Sequence, residues 1–194
     1  MLEFKNTSVR CDDKRLSSPF SLIVEPGEVV CVSGPRGHGK SRLLLAVLGL
    51  APVEQGFITL DGELITPGAG AYFRKMMAYV PQDLPKDPIK FSEMFDMIVT
   101  ENQAEAKERL LSEMGTLGMD KTLLDRKLCD LSALDYRMLL LGVALVRQRP
   151  IVLIDDAPQV MQADRLMHGI ASKGAEVIYT CRENKLNCQK TINL

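Results

Sequence analysis

The chain has 194 residues, of which 46% are hydrophobic and 25% are charged, an ordinary composition for a globular domain. Its net charge of −1 gives no electrostatic basis for binding nucleic acid or an anionic membrane. No apolar run reaches the roughly 18 residues of a membrane span, and the first residues lack the apolar core of a signal peptide. Five cysteines without a C-x-x-C pair indicate reduced thiols in a cytosolic protein, not a disulfide framework or a zinc site.

The N-terminal part of the chain is predicted to form short strands. Residues 2–4 and residues 8–9 are predicted as two separate strands, and residues 20–24 as a third. A turn at residues 25–28 then leads into a buried apolar strand at residues 29–32. This part of the sequence therefore predicts a β-rich start to the domain.

A glycine-rich loop with the pattern G-x-x-x-x-G-K-[ST] follows at residues 34–41, and the apolar residues 43–48 behind it predict a helix. Backbone N–H groups of such a loop face one anion, and the helix N-terminus adds the positive end of its dipole. Lys40 is expected to reach the outer phosphates of a nucleotide, and the Ser41 hydroxyl to ligate Mg²⁺. The alternative is a glycine turn that binds nothing. The predicted nucleotide-binding residues of this segment are Gly34, Pro35, Arg36, Gly37, His38, Gly39, Lys40, Ser41 and Arg42.

The middle of the chain changes from strand patterns to helical patterns. Residues 56–65 predict a hairpin with its turn at Asp61-Gly62, and residues 76–80 predict a strand that Pro81 ends. Between residues 84 and 148, apolar residues recur at helical spacing, which predicts an inserted helical subdomain. Five methionines there fill the core or form an adaptable docking surface. They are Met94, Met97, Met114, Met119 and Met138.

An apolar strand that ends in two carboxylates is predicted at residues 151–156. In a phosphate-loop protein we expect this strand beside the first one, with its terminal Asp near Mg²⁺ and the attacking water. The alternative is an ordinary strand-terminal turn. A short helix near residues 160–172, a strand at 176–180 and a last strand at 191–194 complete the pattern.

The fold class predicted from these elements is α/β, a phosphate-loop NTPase fold with an N-terminal antiparallel β portion and an inserted helical subdomain. Residues 1–194 form one domain in this interpretation. Its α/β core comprises residues 1–83 and 149–194, and the helical insertion comprises residues 84–148.

With these motifs in order, the sequence resembles the ATP-binding domain of ABC transporters over nearly its whole length. Residues 34–41 correspond to the Walker A loop, and residues 151–156 to Walker B. Gln82, in Tyr79-Val80-Pro81-Gln82, corresponds to the Q-loop glutamine, and Leu131-Ser132 to the start of the LSGGQ signature. Residues 180–182 fall on the H-loop.

The resemblance implies ATP and Mg²⁺ as cofactors, with Ser41, Gln82 and Asp155 around the metal. It places Asp156 at the position of the catalytic Glu, which makes Asp156 and Gln82 candidate catalytic residues. Ser132 would contact the nucleotide of the opposite subunit in a dimer of ATP-binding domains. The resemblance further implies a separate integral-membrane subunit and a location on the inner face of the cell membrane.

Several family positions are altered in this sequence. Ala133 and Leu134 replace both signature glycines, which permit close backbone approach in the family. Cys181 replaces the H-loop His, which makes it the third candidate catalytic position, and Cys11 stands where an aromatic residue would stack on adenine. The other altered positions are Met138 and Val143 at signature-helix arginines and Gln162 at the D-loop Asp.

Three functions remain open at this point. The first is a transporter ATPase that hydrolyses ATP slowly, because Asp156 is one methylene shorter than Glu and other transition-state contacts are lost. The second is a nucleotide-binding switch, or the degenerate half of a heterodimer. The third is a phosphate-loop kinase, which needs lid arginines that Arg147 and Arg149 alone do not supply.

Overall fold

A computed structural model describes residues 1–13 and 15–194 and contains two β-sheets flanked by helices. A four-stranded sheet has the order β2-β1-β4-β5, and a parallel five-stranded sheet has the order β6-β7-β8-β3-β9. The strands are β1 (Leu2–Ser8), β2 (Phe20–Val24), β3 (Val29–Ser33), β4 (Gln55–Leu60), β5 (Glu63–Leu64), β6 (Met77–Val80), β7 (Ile151–Ile154), β8 (Glu176–Cys181) and β9 (Lys190–Asn193). The helices are α1 (Lys40–Val47), α2 (Gly70–Arg74), α3 (Phe91–Ile98), α4 (Gln103–Thr116), α5 (Ala133–Arg147) and α6 (Met161–Ala171).

This architecture confirms the predicted α/β fold with an antiparallel N-terminal portion. The hairpin β4–β5 turns at Asp61 and Gly62, whose φ angles of 51° and 82° suit a primed turn between twisted strands. The prediction of two separate strands at residues 2–4 and 8–9 is wrong. Strand β1 continues to Ser8 because β4 pairs with it on both sides of a bulge, which lies next to Asn6 at φ 46°.

The carboxylate-bearing strand β7 does not lie beside the phosphate-loop strand β3, and that expectation is also wrong. Strand β8 lies between them and pairs in parallel with both, with Ile154 opposite Tyr179 and Ser33 opposite Cys181. All six residues of β8 are buried, as expected for a central strand covered on both faces. The carboxyl ends of β3, β8 and β7 therefore meet at one edge of the sheet.

Three hydrophobic clusters hold the layers together. One lies between α1, the antiparallel sheet and the parallel sheet, and a second packs α5 and α6 on the other face of the parallel sheet. The third joins α3, α4 and α5. Helix α5 belongs to both of the last two clusters: Leu141 packs toward the sheet and Leu139 toward the helices. Helix α5 thus fixes the helical segment to the core.

The methionines of the helical segment lie mostly in these clusters. Met114 and Met138 are buried, while Met94 and Met119 pack against a cluster as partly buried residues. Met97 on α3 differs, because it is 68% exposed. Core filling therefore accounts for four of the five. Over residues 1–13 and 15–194, no helix combines the length and the apolar character needed to cross a membrane.

Candidate functional site

A cavity of about 800 Å³ opens at the sheet edge where β3, β8 and β7 end. Clefts at the carboxyl ends of parallel strands are the usual binding places of open α/β sheets. Most of the residues predicted for the site line this cavity. They are Cys11, Arg36, Gly37, Gly39, Lys40, Ser41, Arg42, Gln82, Asp155 and Asp156.

The glycine loop connects β3 to α1 in the predicted order of strand, loop and helix. Gly39 is the N-cap of α1 with φ 86°, and a Cβ there would lie 2.9 Å from Val9 Cγ2. A Cβ on Gly34 would lie 2.2 Å from the Leu194 carbonyl oxygen, so no side chain fits there. The loop thus takes its path because it has glycine at these points.

The N-terminus of helix α1 has neither a capping side chain nor an acidic side chain close to it. Its N-cap makes no side-chain hydrogen bond, and its first turn contains no acidic residue. The first-turn N–H groups of a helix have no partner within the helix, and they carry the positive end of its dipole. The start of α1 therefore suits an anionic ligand in the cavity.

Lys40 extends over the loop. Its Nζ donates hydrogen bonds to the carbonyl oxygens of Gly34 and Pro35, each at 2.7 Å. Burial lowers the pKa of Lys40, and the nearby charges of Asp155 and Asp156 act in the opposite direction. The ammonium group is therefore bound by loop carbonyls and attracted by both carboxylates, and phosphate oxygens could replace the carbonyls as acceptors.

Asp155 lies directly after β7 and is only 3% exposed. Its Oδ1 accepts a hydrogen bond from Thr180 Oγ1 at 2.7 Å, and its Oδ2 accepts one from the Tyr79 hydroxyl at 3.4 Å. Burial and the charge of Asp155 raise the pKa of Tyr79 to about 12, so its hydroxyl remains a donor. This carboxylate is fixed by groups on the two neighbouring strands.

Asp156 has a different environment from its neighbour. Strand β7 ends at Ile154, and Asp156 has a φ angle of 57°. The alternation of side chains along a strand therefore does not determine which way the Asp156 side chain points. Its N–H donates to Thr180 Oγ1 at 2.8 Å, and its Oδ2 lies 3.3 Å from Arg137 Nη1. Thr180 therefore links both carboxylate residues, whereas Arg137 bonds to Asp156 and to no atom of Asp155.

Sequence reasoning missed both of these contacts. Arg137 lies on α5 and its Nη2 also donates to the Gln82 carbonyl at 2.9 Å. Nothing in the local sequence distinguishes Arg137 from a solvated arginine on a helix. The resemblance assigns Thr180 to the H-loop segment but implies no role for a threonine at that position.

Five of the predicted residues do not line the cavity, namely Gly34, Pro35, His38, Ser132 and Cys181. Cys181 is 1% exposed on the opposite side of β8 from Thr180, because side chains alternate along a strand. Its Sγ lies 3.5 Å from Cys31 Sγ, and this contact together with burial raises the pKa of Cys31. Ser132 is exposed at the N-cap of α5, where it accepts a hydrogen bond from the N–H of Asp135.

The remaining loop positions contact other parts of the chain instead of the cavity. Pro35 contributes its carbonyl to Lys40, and the Nδ1 of His38 lies 3.1 Å from the Leu194 carbonyl oxygen. Gly34, as described above, is in contact with Leu194. These contacts connect the loop to Lys40 and to Leu194.

The predicted metal ligands consist of one hydroxyl, one amide and one carboxylate. Ser41, Gln82 and Asp155 all line the cavity. Within the described part of the chain, no cluster of three or more His, Cys, Asp or Glu could hold a metal by itself. An ion here would need oxygen ligands from a bound phosphate, as is usual for Mg²⁺.

Comparisons with known proteins point to one family. A sequence profile of the family described as "ABC transporter" matches residues 17–159. The zinc import ATP-binding protein ZnuC of Jannaschia sp. (strain CCS1) is 30% identical over 162 residues, which cover 82% of this chain and 60% of ZnuC. The cytochrome c biogenesis ATP-binding export protein CcmA of Hahella chejuensis is 28% identical over 187 residues, covering 93% of this chain and 88% of CcmA.

Solved structures agree at the level of the fold. A putative ABC transporter (ATP-binding protein) from Pyrococcus furiosus superimposes with a TM-score of 0.79 and 21% identity, covering 100% of this chain and 96% of that chain. The chain spans 60% of the length of the zinc import relative and 62% of the Nod factor export ATP-binding protein I of Burkholderia orbicola.

The shared hydrogen bonds of Thr180 predict a stability effect. Thr180→Val removes the hydroxyl that serves Asp155 and Asp156, and we expect it to lower the free energy of unfolding by about 1–3 kcal/mol. Thr59→Val is the control, since the Thr59 hydroxyl is buried with no partner among the described residues. That control should change stability by less than about 0.5 kcal/mol. Denaturant unfolding measures both variants, and equal losses would contradict the role given to Thr180.

Proposed function

The chain belongs to the ABC transporter family, and from this premise we propose that it is a transporter's ATP-binding subunit. It binds Mg-ATP in the cavity at residues 34–41 and hydrolyses it slowly to drive a separate membrane subunit. One observation carries the proposal: Lys40, Ser41, Gln82 and both terminal carboxylates of the β7 segment line a single cavity.

The phosphates are bound by the glycine loop and the start of α1. The uncapped N-terminus of α1 supplies N–H donors, and Lys40 exchanges its loop carbonyls for phosphate oxygens. Ser41 and Gln82 would hold Mg²⁺ directly, and Asp155 through water. When bound, the ion neutralises charge on the outer phosphates.

The chemical step relies on Asp156. Its carboxylate polarises the attacking water, and its reach is one methylene shorter than that of Glu. A displacement of about 1 Å can cost roughly a hundredfold in rate. Cys181 is buried away from the cavity and offers no imidazole to the γ-phosphate. Slow hydrolysis is therefore the expected behaviour of the isolated chain.

Assembly completes the site in this proposal. Ser132 and the exposed Leu134 lie at the start of α5, outside the cavity of their own chain. This exposure suits contact with the nucleotide of a second ATP-binding domain, although Leu134 adds bulk where the family has glycine. The partners are a second such domain, identical or not, and an integral-membrane subunit at the inner face of the cell membrane.

A second candidate function is a nucleotide-binding switch with little turnover. The buried Cys181 and the ion pair between Asp156 and Arg137 favour it, because both leave fewer groups free for the γ-phosphate. In that case the chain serves as the degenerate half of a heterodimer or as a regulator.

Nucleotide binding tests the first step of the proposal. We expect Lys40→Ala to weaken ATP binding at least about tenfold, because the ammonium contributes to phosphate binding. The affinities for ATP and GTP should agree within about tenfold, since Cys11 offers no aromatic platform. Titration calorimetry measures both, with the exposed Lys173→Ala as control. A strong ATP preference, or unchanged binding in Lys40→Ala, would contradict the prediction.

The role of Asp156 in hydrolysis is tested by changing the length and the charge of its side chain. Asp156→Glu should raise the hydrolysis rate about tenfold to a hundredfold if distance is the main defect. Asp156→Asn should lower the rate and leave ATP binding intact, whereas Asp155→Asn should weaken the Mg²⁺ dependence. A steady-state ATPase assay measures all three. If Asp156→Glu has no effect, the switch becomes the better proposal.

The membrane partner is tested on the helical segment. Met97 on α3 and Met161 on α6 are both 68% exposed, but only Met97 belongs to residues 84–148. Met97→Glu should weaken co-purification with the membrane protein of a neighbouring gene at least about tenfold, because it puts a charge in an apolar contact. Met161→Glu should not. Equal effects, or a chain that never co-purifies, would count against this docking surface.

A further inference from the structure

Arg137 connects three parts of the molecule that the proposed function uses. It is the fifth residue of α5, whose N-cap is Ser132, and its side chain is only 17% exposed. Its guanidinium reaches the loop after β6 and the turn after β7. These two strands are neighbours in the parallel sheet, so both segments border the same cavity.

The guanidinium makes three hydrogen bonds to these segments. Nη1 donates to the Asp156 carbonyl at 3.0 Å and to Asp156 Oδ2 at 3.3 Å. Nη2 donates to the Gln82 carbonyl at 2.9 Å. The planar guanidinium is a rigid fork, so it sets the distance between the two segments as well as the direction of the carboxylate.

The contacts with Asp156 leave part of its carboxylate available. Oδ2 is held by Arg137, while Oδ1 makes no hydrogen bond to any residue that the structure describes. A base that is oriented by a third group is a common arrangement in active sites. The carbonyl contact also supports the φ of 57° at Asp156, which is uncommon for a residue with a side chain.

We propose that Arg137 is a positioning residue for ATP hydrolysis. It orients Asp156 toward the attacking water and ties the Gln82 segment to helix α5. A movement at the start of α5, where a second ATP-binding domain would contact Ser132, is transmitted by the same guanidinium to both segments. The inference rests on the proposed function and adds a residue that acts through Asp156.

A double-mutant cycle tests whether Arg137 acts through Asp156. Arg137→Met should lower kcat about tenfold to a hundredfold and leave the Kd for ATP within about twofold. Arg137→Lys should retain more activity, since a lysine can keep one of the three hydrogen bonds. In an Asp156→Asn background, Arg137→Met should cost less than about twofold more. Arg147→Met, on the same helix and outside the cavity, is the control.

Three kinetic outcomes would overturn the inference. A higher kcat in Arg137→Met would make the ion pair a restraint on Asp156. Equal losses in the native and Asp156→Asn backgrounds would show that Arg137 does not act through this carboxylate. If Arg147→Met lowers kcat by the same factor as Arg137→Met, the loss would come from a general destabilisation of helix α5.

Hydrogen exchange tests the connection without any turnover. Amide exchange should rise at least about threefold in the peptides that contain Gln82 and Asp156 when Arg137 becomes Met, and not in Arg147→Met. If the native protein binds ATP but does not hydrolyse it, the role in hydrolysis fails together with the proposed function, and this measurement decides the remaining part, the connection of α5 to the two segments. Unchanged exchange in either peptide would overturn it.

Discussion

Parallel hydrogen bonding of β8 to both β3 and β7 is the constraint on which the site depends. It brings the glycine loop after β3, the H-loop segment at the end of β8 and the carboxylates after β7 to one edge of the sheet. Thr180 at the end of β8 then contacts both carboxylate residues through one hydroxyl. Without β8 between them, the loop and the carboxylates would lack this shared support.

Positive and negative charges face the cavity from opposite sides at that edge of the sheet. Lys40 and the start of α1 supply positive charge from one side, and Asp155 and Asp156 supply negative charge from the other. In the proposed function, a Mg²⁺ ion would be attracted both to the polyphosphate of ATP and to these carboxylates. The buried Asp155 is held by Thr180 and Tyr79, so it needs little reorganisation to take part in such an arrangement.

Helix α5 relates this site to the rest of the molecule. One side of it packs on the parallel sheet and another on α3 and α4, so the helical segment and the sheet share one helix. Its first turn carries the altered signature, and Arg137 one turn later reaches the cavity. The altered signature residues Ala133 and Leu134 therefore lie on the same helix as the arginine that contacts the cavity segments.

The sequence alone determined the features that depend on short stretches of chain. The glycine loop, the Asp61-Gly62 hairpin and the strand before two carboxylates follow from local conformational preference and hydrophobic pattern, and their order identified the fold. Only the tertiary structure decided the position of β8, the burial of Cys181 and the contacts of Arg137. The physical reason is that strand order and side-chain direction are set by hydrogen bonds and packing between residues far apart in the chain, which leave no local mark in the sequence.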